Sequence, residues 1–357
     1  MGLSPRAPVA WRSAGPFVRL FFKRIAVMLM TLLGLMTLVF LMIKLIPGDE
    51  AQVAAGPEAS PEQVAQVRQR LGLDQPLLQQ YARFLGRVLQ GDLGTSVSTL
   101  QPVVQDIGKV LPSTLELVAL AMVLSLLVAA GGAIAAASRR DRGLDVGSRV
   151  VAVVLTGIPA FWLALLAQNL FGAHWNLLPI SGQQSFEFAV PQVTRMPLVD
   201  TLLAGNLPAF FDAVRHIVLP TVCLAAFFCA QLFRTLRASL IAILESDFIA
   251  PVRAKGASFQ RIMLHHALPN AVGPTITLLG MQLGMMIGSA VLVEGVFGRQ
   301  GVGAYLANGV AQKDTAAVLG AVLFIGAIVC VVNLLVDLLQ LALDPRVRAS
   351  QLKGRGA

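Results

Sequence analysis

The sequence predicts an all-α polytopic membrane protein with six membrane-spanning helices. Hydrophobic residues make up 56% of the chain and charged residues only 13%, whereas a soluble globular protein has about 25% charged residues. The mean hydropathy is +0.73. Six apolar runs are long enough to cross the hydrocarbon core of a bilayer as helices. These runs occupy residues 25–46, 114–137, 150–171, 217–233, 271–293 and 316–343.

The first run follows a basic N-terminal segment, residues 1–24. Its uninterrupted apolar part, residues 25–43, would be about 28 Å long as a helix. It ends in a lysine and the sequence LIPGD, without the small-residue cleavage site of a signal peptide. We therefore expect a helix that is retained and that directs insertion into the membrane.

Residues 47–112 are polar and predict a helical extracytoplasmic insertion between the first and second spans. Ser60 is a candidate N-cap with Pro61 at the first helical position, and residues 76–89 also have a helical pattern. A second long polar segment, residues 172–216, is rich in glycine and proline. Together these segments predict a small cap on one face of the protein.

The fourth run is short and has Pro220 near its start. We expect the fourth helix either to begin nearer Val214 or to be tilted.

The basic residues are distributed unevenly between the loops. With the N-terminus inside, 18 of the 28 lysines and arginines fall on the cytoplasmic side, together with only five acidic residues. This bias predicts that both termini, including the tail at residues 344–357, are cytoplasmic. The net charge of +9 is then a topology signal and not a nucleic-acid-binding patch.

The sequence contains no P-loop, no H-E-x-x-H and no G-x-S-x-G motif, so it predicts neither ATP binding by this chain nor a catalytic function. His265 and His266 are adjacent and point about 100° apart on a helix, which does not favour a metal site. The cysteines lie in apolar runs, without ligand or disulfide spacing. They are Cys223, Cys229 and Cys330.

Within the spans, ionisable residues are few: Glu116 in the second and Asp337 in the sixth. Asn333 shares a helix face with Asp337, so this pair is expected to bond to a neighbouring helix. The chain therefore resembles a passive pathway whose energy comes from a partner or from the gradient of the solute.

Small residues at positions that share a helix face predict close packing of the spans. The candidates are Gly131, Gly132, Gly280, Gly284 and Gly288.

The loop at residues 238–270 is polar and basic but rich in helix formers. Ser246 or Asp247 can cap a helix in which Pro251 takes an early position. Gly256 permits a sharp turn, and Ser258 can cap a second helix over residues 259–268. This pattern predicts a helix, a turn and a helix that dock on a partner. An amphipathic helix lying on anionic lipid is the alternative.

This loop resembles the EAA-type loop of ABC-importer permeases. The resemblance lies in the sequence RAKGA at 253–257 followed by HALPNA at 266–271. It extends over nearly the whole chain and is closest to the first permease subunit of the dipeptide/oligopeptide/nickel class. The other fragments, in the family's order, are LIPGD at 45–49, LGLDQP at 71–76, QY at 80–81, GDLGTS at 91–96, PISG at 179–182, EGVF at 294–297, NLLVD at 333–337 and DPRVR at 344–348. The N-terminus, roughly residues 1–17, is longer than usual, and Pro251 is less expected in the loop.

The resemblance implies a type I ABC-importer permease fold in a bacterial inner membrane. The first span (25–46) would be followed by the periplasmic insertion (47–112), and the permease core would occupy residues 113–343. Implied partners are a second homologous permease that completes a heterodimer, two ATP-binding subunits, a periplasmic or lipid-anchored solute-binding protein, and membrane lipid. The ATP and magnesium would reside on the ATPase subunits, with no cofactor in this chain.

The resemblance also implies that one ATPase binds the loop at a coupling helix. The residues implied in this coupling are Asp247, Phe248, Pro251, Arg253, Ala254, Lys255, Gly256, Ala257 and Ser258. The polar segments of the other face would receive the solute-binding protein, and the second to sixth spans would line the path.

The substrate implied is a di- or oligopeptide. The same role for nickel, glutathione, haem or another small solute is the alternative, and a self-sufficient channel or secondary carrier is a second one. A membrane scaffold or an enzyme is disfavoured by the missing catalytic motifs.

Overall fold

A computed structural model describes residues 14–45, 50–56 and 58–343, and most of these residues are helical. The N-terminal segment before residue 14, parts of the LIPGD fragment and the DPRVR fragment lie outside the described residues. The helices are α1 (Ala14–Leu45), α2 (Glu50–Ala55), α3 (Pro61–Leu71), α4 (Leu77–Leu89), α5 (Val103–Ser138), α6 (Gly143–Gly157), α7 (Ala160–Ala167), α8 (Pro197–Leu203), α9 (Leu207–Leu244), α10 (Ile249–Ala254), α11 (Phe259–Arg261), α12 (Leu268–Ala271), α13 (Gly273–Phe297), α14 (Val302–Ala311) and α15 (Thr315–Leu343).

Five of these helices are individually long and apolar enough to cross a membrane: α1, α5, α9, α13 and α15. The third predicted span, residues 150–171, is not one straight helix. It is divided between α6 and α7, which are bent by 103° relative to each other. Pro159 is the reason, because it lacks an N–H and holds the preceding Ile158 in an extended conformation. With the bent pair counted as one span, the described residues contain six.

Two helices extend well beyond the predicted spans. Helix α9 has 38 residues and is about 57 Å long, so the fourth span starts at Leu207 and contains Pro220 within a continuous helix. The side chain of Asn206 caps it by accepting a hydrogen bond from Ala209 N. Helix α5 begins at Val103, inside the segment predicted as the insertion, and contains Pro112 within a continuous helix.

The centre of the bundle is formed by α5, α9 and α13. Helices α5 and α9 run in the same direction, and the hydroxyl of Ser125 on α5 donates to the carbonyl oxygen of Ala225 on α9 at 3.1 Å. Helix α13 runs back between α9 and α15. Leucine, phenylalanine and small side chains fill the space between them, including Leu117, Leu224, Phe228 and Ala290.

This arrangement creates two opposite faces. The loop face carries the end of α5, the start of α6 and the chain between α9 and α13. The cap face carries α3, α4, the loops at 90–102 and 175–206, and the region around α14. Both predicted polar segments, as far as they lie among the described residues, are on the cap face.

The insertion on the cap face is helical, as the sequence predicts. Ser60 caps α3 through a capping box in which Ser60 and Gln63 exchange hydrogen bonds. Helix α4 packs on α1, where Phe40 lies 5.6 Å from Phe84 between ring centroids and Tyr81 bonds to Thr37. The insertion is therefore anchored to the first span.

Asp314 fastens the loop before α5 to the start of α15. Its carboxylate accepts hydrogen bonds from Ser96 Oγ at 2.6 Å, from Ser98 Oγ and N at 2.8 and 3.0 Å, and from Ala317 N at 3.0 Å. The residue is 1% exposed. Burial alone would raise the pKa of Asp314, but the bonds from Ser96, Ala317 and Ser98 outweigh burial and lower it below the ordinary value of 3.8.

Glycine packing is confirmed at two of the predicted positions. A Cβ at Gly132 would lie 3.4 Å from Phe233, and one at Gly284 would lie 3.0 Å from Val329. Gly131 and Gly288 face open space in this chain. A tighter contact, absent from the prediction, is at Gly303 of α14, where a Cβ would collide with the carbonyl oxygen of Val291.

Of the predicted polar pair in the sixth span, Asn333 and Asp337, the structure describes only the side chain of Asn333. The side-chain oxygen of Asn333 on α15 would lie 3.2 Å from a Cβ at Gly284, so Asn333 faces α13 at one of its glycines. The side chain of Asp337 lies outside the described residues, and its bonding to a neighbouring helix stays a prediction.

We predict that Gly303→Ala destabilises the protein by about 1–3 kcal/mol, because the new methyl group meets backbone of α13 that cannot move aside. The thermal unfolding temperature of the purified chain in detergent measures the effect. Gly288→Ala is the matched control, since its methyl group would enter open space. Equal unfolding temperatures for the two variants would contradict the backbone contact.

The lowered pKa of Asp314 predicts an acid-sensitive cap face. Because the folded pKa lies below the unfolded one, the stabilisation by this carboxylate is complete above about pH 4 and is lost as the pH falls through the folded pKa. Hydrogen exchange of residues 92–106 and 311–318 should accelerate in that range. Asp314→Asn should accelerate it already at pH 6, whereas Asp74→Asn, at an exposed position, should leave it unchanged.

Candidate functional site

The chain between α9 and α13 folds as the predicted helix, turn and helix. The first helix is α10, and the second begins with α11 and continues through a π-helical segment, Ile262–Ala267, into α12. Pro251 occupies the third position of α10, where its missing N–H costs no helical hydrogen bond. The prediction of an early position for this proline is confirmed.

The two predicted N-caps have different outcomes. Ser258 caps α11 by accepting from Arg261 N at 3.4 Å, as predicted. Capping of the first helix by Ser246 or Asp247 is wrong: α10 has no side-chain cap. The hydroxyl of Ser246 instead donates to the carbonyl oxygen of Ile243 at 2.6 Å, so it serves the end of α9.

The turn between the two helices depends on Gly256. Its φ of +80° lies in the left-handed region, which glycine adopts without the steric cost of a Cβ. Gly256 N donates to the carbonyl oxygen of Arg253 at 3.0 Å. A Cβ placed on Gly256 would have open space around it, so the demand for glycine comes from the backbone conformation alone.

The predicted coupling residues form one accessible surface. Asp247, Phe248, Pro251, Arg253, Ala254, Lys255, Gly256 and Ser258 are exposed, and Ala257 is half-buried. Among the described residues, neither Arg253 nor Lys255 pairs with a carboxylate. This coupling surface thus offers two cations and one exposed aromatic ring to a partner.

The sequence reasoning missed the residue that anchors the coupling surface. Ile249 is 1% exposed while its neighbour Phe248 is 52% exposed, so α10 buries one side and presents the other. Helix α10 packs against the π-helical segment. A six-residue helix is too short to show a periodic pattern, so the sequence could not distinguish Ile249 from Phe248.

A groove of about 430 Å³ lies beside the coupling surface. Asp247, Arg253 and Phe259 line it on one side, and the ends of α5 and α9 on the other. An ion pair between Arg140 and Glu245 joins those two helix ends. The groove is therefore bordered by charges that a docked partner could meet.

Below the groove, a buried ion pair fixes α6 to α9. Arg237 Nη2 donates to Asp145 Oδ2 at 2.6 Å, and Arg237 Nε binds the other carboxylate oxygen. Asp141 N also donates to Asp145 at 2.9 Å. Asp145 is fully buried. The pair therefore holds the short connection between α5 and α6 against the last turns of α9.

A second buried charge cluster lies on the cap face, and the sequence reasoning did not identify it. Arg299, 1% exposed, lies 3.6 Å from Glu116. Glu116 accepts from Leu198 N at 3.0 Å, and Glu294 accepts from Gly303 N at 2.9 Å. The cluster connects α5, α8, α13 and α14. Glu116 was visible as an ionisable residue within a span, but its partners come from distant parts of the chain.

One histidine and one cysteine, His266 and Cys223, have packing roles. His266 lies 6.3 Å from Phe248 between ring centroids, so it packs against the coupling surface. Cys223 belongs to the central apolar cluster, as expected for a small core residue. No group of three or more metal-ligating side chains occurs among the described residues.

Comparison with known proteins gives consistent matches over the length of the chain. The family described as "Binding-protein-dependent transport system inner membrane component" matches residues 128–349, and its N-terminal companion matches residues 17–118. A probable D,D-dipeptide transport system permease protein of Escherichia coli is 40% identical, with coverage of 88% of this chain and 93% of the relative. A dipeptide transport system permease protein of the same organism is 35% identical, covering 93% and 99%. A glutathione transport system permease protein of Salmonella paratyphi A is 34% identical, covering 91% and 97%.

Because Ile249 is buried and Phe248 is exposed, truncating Ile249 should destabilise the loop and truncating Phe248 should not. Ile249→Ala should destabilise the loop by about 2–5 kcal/mol, because it empties a buried site, and hydrogen exchange of residues 245–262 should become faster. Phe248→Ala should leave that exchange close to wild type, because the ring is exposed. Similar exchange in the two variants would show that α10 is not anchored through Ile249.

Proposed function

The chain belongs to the family of binding-protein-dependent transport system inner membrane components, and on this basis we propose that it is the permease subunit of an ATP-driven importer of short peptides. The main support for this proposal is the sequence identity of 34–40% to permeases named for dipeptides and glutathione, over nearly the full length of both chains. Since glutathione is itself a tripeptide, these names favour a short peptide over nickel or haem.

The subunit would work with a second homologous permease, two ATP-binding subunits and a solute-binding protein, within membrane lipid. Apolar side chains of α6 are exposed on this chain, among them Val150, Val153 and Val154, and the partner permease or lipid would cover them. ATP and magnesium would be bound by the ATPase subunits. The loop face would be cytoplasmic, in accordance with its excess of basic residues.

The coupling surface is suited to transmit motion from an ATPase. Exposed Phe248 would enter a groove of the ATPase, while Arg253 and Lys255 would pair with its carboxylates. Helix α10 packs against the π-helical segment, and α12 leads directly into α13. A displacement of α10 would therefore move α13 and α9 as packed bodies and not be lost within a slack loop.

The motion would be a switch between two packings of the bundle, biased by ATP binding. Helix α9 is continuous from the coupling loop to the cap face, so it connects the two ends of the path. The cap-face cluster of Glu116, Glu294 and Arg299 would hold that end of the path closed.

We predict that Gly256→Val uncouples transport. A β-branched residue is strongly disfavoured at a φ of +80°, so the relative orientation of α10 and α11 should change. Uptake of a labelled dipeptide into ATP-loaded proteoliposomes with all partner subunits should fall by about fivefold or more, equivalent to about 1 kcal/mol of docking energy. The amount of protein in the membrane should not change.

The matched control is Gly34→Val on α1, an exposed glycine in ordinary helical conformation with open space beside it. It should transport as wild type does. Wild-type uptake by Gly256→Val would refute the coupling role of the turn.

A further inference from the structure

A cavity of about 900 Å³ lies between α6, α9 and the first half of α13, on the loop-face side of the bundle. This volume is in the range of small-molecule sites, about 300–1,000 Å³. Three arginines line the cavity: Arg149, Arg234 and Arg237. None of its lining residues is acidic.

The wall contributed by α9 is polar although the helix belongs to a membrane span. Gln231, Thr235 and Ser239 follow one another at intervals of four residues, so they share a helix face, and Arg234 lies beside them. On α6, Arg149 and Thr156 face the same space. Turning such a face toward hydrocarbon would be costly. The face must therefore border water, a polar ligand or a partner protein.

The charges in this wall do not balance. Arg237 is neutralised by its bonds to Asp145. Arg149 is held more loosely, at 3.5 Å from Asp141 and 3.6 Å from Asp145. Arg234 is exposed and has no carboxylate partner among the described residues. Two carboxylates outside the lining thus pair with Arg237 and Arg149, and Arg234 is available to an anion.

The deep end of the cavity is also polar. Gln282, which is fully buried, donates to the side-chain oxygen of Gln231 at 3.3 Å and thereby positions that residue in the cavity wall. Its own Oε1 has no hydrogen-bond partner among the described residues. Apolar groups also line the cavity, among them Phe227, Phe233 and Leu278. Charged, polar and apolar contacts are thus available in one space.

We propose that this cavity is a binding stage on the peptide path, where Arg234, assisted by Arg149, receives the C-terminal carboxylate of a short peptide. The inference rests on the proposed function and adds the residues that recognise the substrate within the membrane. Guanidinium groups bind carboxylates through paired, charge-assisted hydrogen bonds. The aromatic and aliphatic lining accepts varied side chains without selecting one.

An anionic lipid headgroup offers arginine a similar anion. Arg234 lies ten residues before the end of α9, which is about 15 Å along the helix, and the polar face continues to Gln231, deeper still. A headgroup would account for Arg234 but not for the polar residues beyond it. A peptide that passes along the cavity accounts for both.

The test uses the complete transporter in nanodiscs, with the photoreactive dipeptide alanyl-p-benzoylphenylalanine and its C-terminal amide as probes. In the absence of ATP, the free-carboxylate probe should crosslink to residues 227–239 of the wild-type chain. Arg234→Gln should reduce this crosslinking by about tenfold, the loss expected for one charge-assisted contact. Arg149→Gln should reduce it less. The amide probe should crosslink weakly to all forms.

The control is Arg142→Gln, which removes an exposed arginine of the loop face that does not line the cavity. It should behave as the wild type does. Equal crosslinking of the acid and amide probes, or an Arg234→Gln variant that retains wild-type crosslinking, would overturn the proposal. Retention of phosphatidylglycerol by the wild type but not by Arg234→Gln in native mass spectrometry, with unchanged peptide crosslinks, would assign the site to lipid and overturn it too.

ATP-driven uptake of unmodified dipeptide by the same wild-type preparation separates this inference from the proposed function. Absence of uptake would contradict the importer itself. Uptake combined with crosslinks that do not depend on Arg234 would contradict only the carboxylate site.

Discussion

The hydrocarbon of the bilayer is the constraint on which this structure depends. Backbone N–H and C=O groups find no partners in lipid, so the spans are helical and pack through small and apolar residues. The same constraint controls polar side chains, which must face one another, water or a partner protein. Polar side chains at membrane depth therefore mark where the bundle contacts water or protein instead of lipid.

Within this constraint, α9 unites the functional regions of the molecule. Its first half packs into the central apolar cluster, its second half carries the polar cavity wall, and its end leads into the coupling loop. The Asp145–Arg237 pair then fastens α6 to the same helix. A movement imposed on the loop would reach the cavity through about three turns of helix, without an intervening flexible segment.

The sequence was sufficient where a feature depends on local chemistry. Apolar runs marked five spans, Ser60 and Ser258 marked helix starts, and Gly256 marked a turn because few other residues adopt its conformation. It was insufficient where a feature depends on which segments meet in space. Residues 150–171 form one apolar run, which hides the break at Pro159. The hydroxyl of Ser246 can bond at the end of α9 or at the start of α10, and the sequence does not distinguish the two. Candidate sites follow the same division. The coupling residues lie together in the chain and could be predicted. The cap-face cluster joins Glu116 to Arg299, 183 positions away, and the cavity joins α6 to α9, so neither could be.

The basic residues of the loop face have two separable explanations. Orientation in the membrane requires arginines and lysines near the ends of the spans, and Arg139, Arg140 and Arg142 satisfy it in an exposed loop. It does not require Arg234 to line a cavity ten residues before the end of α9. Arg237 is paired with Asp145, but Arg234 has no carboxylate partner among the described residues. If the cavity receives the carboxylate of a peptide, as proposed, Arg234 is the residue whose environment changes most when the solute passes.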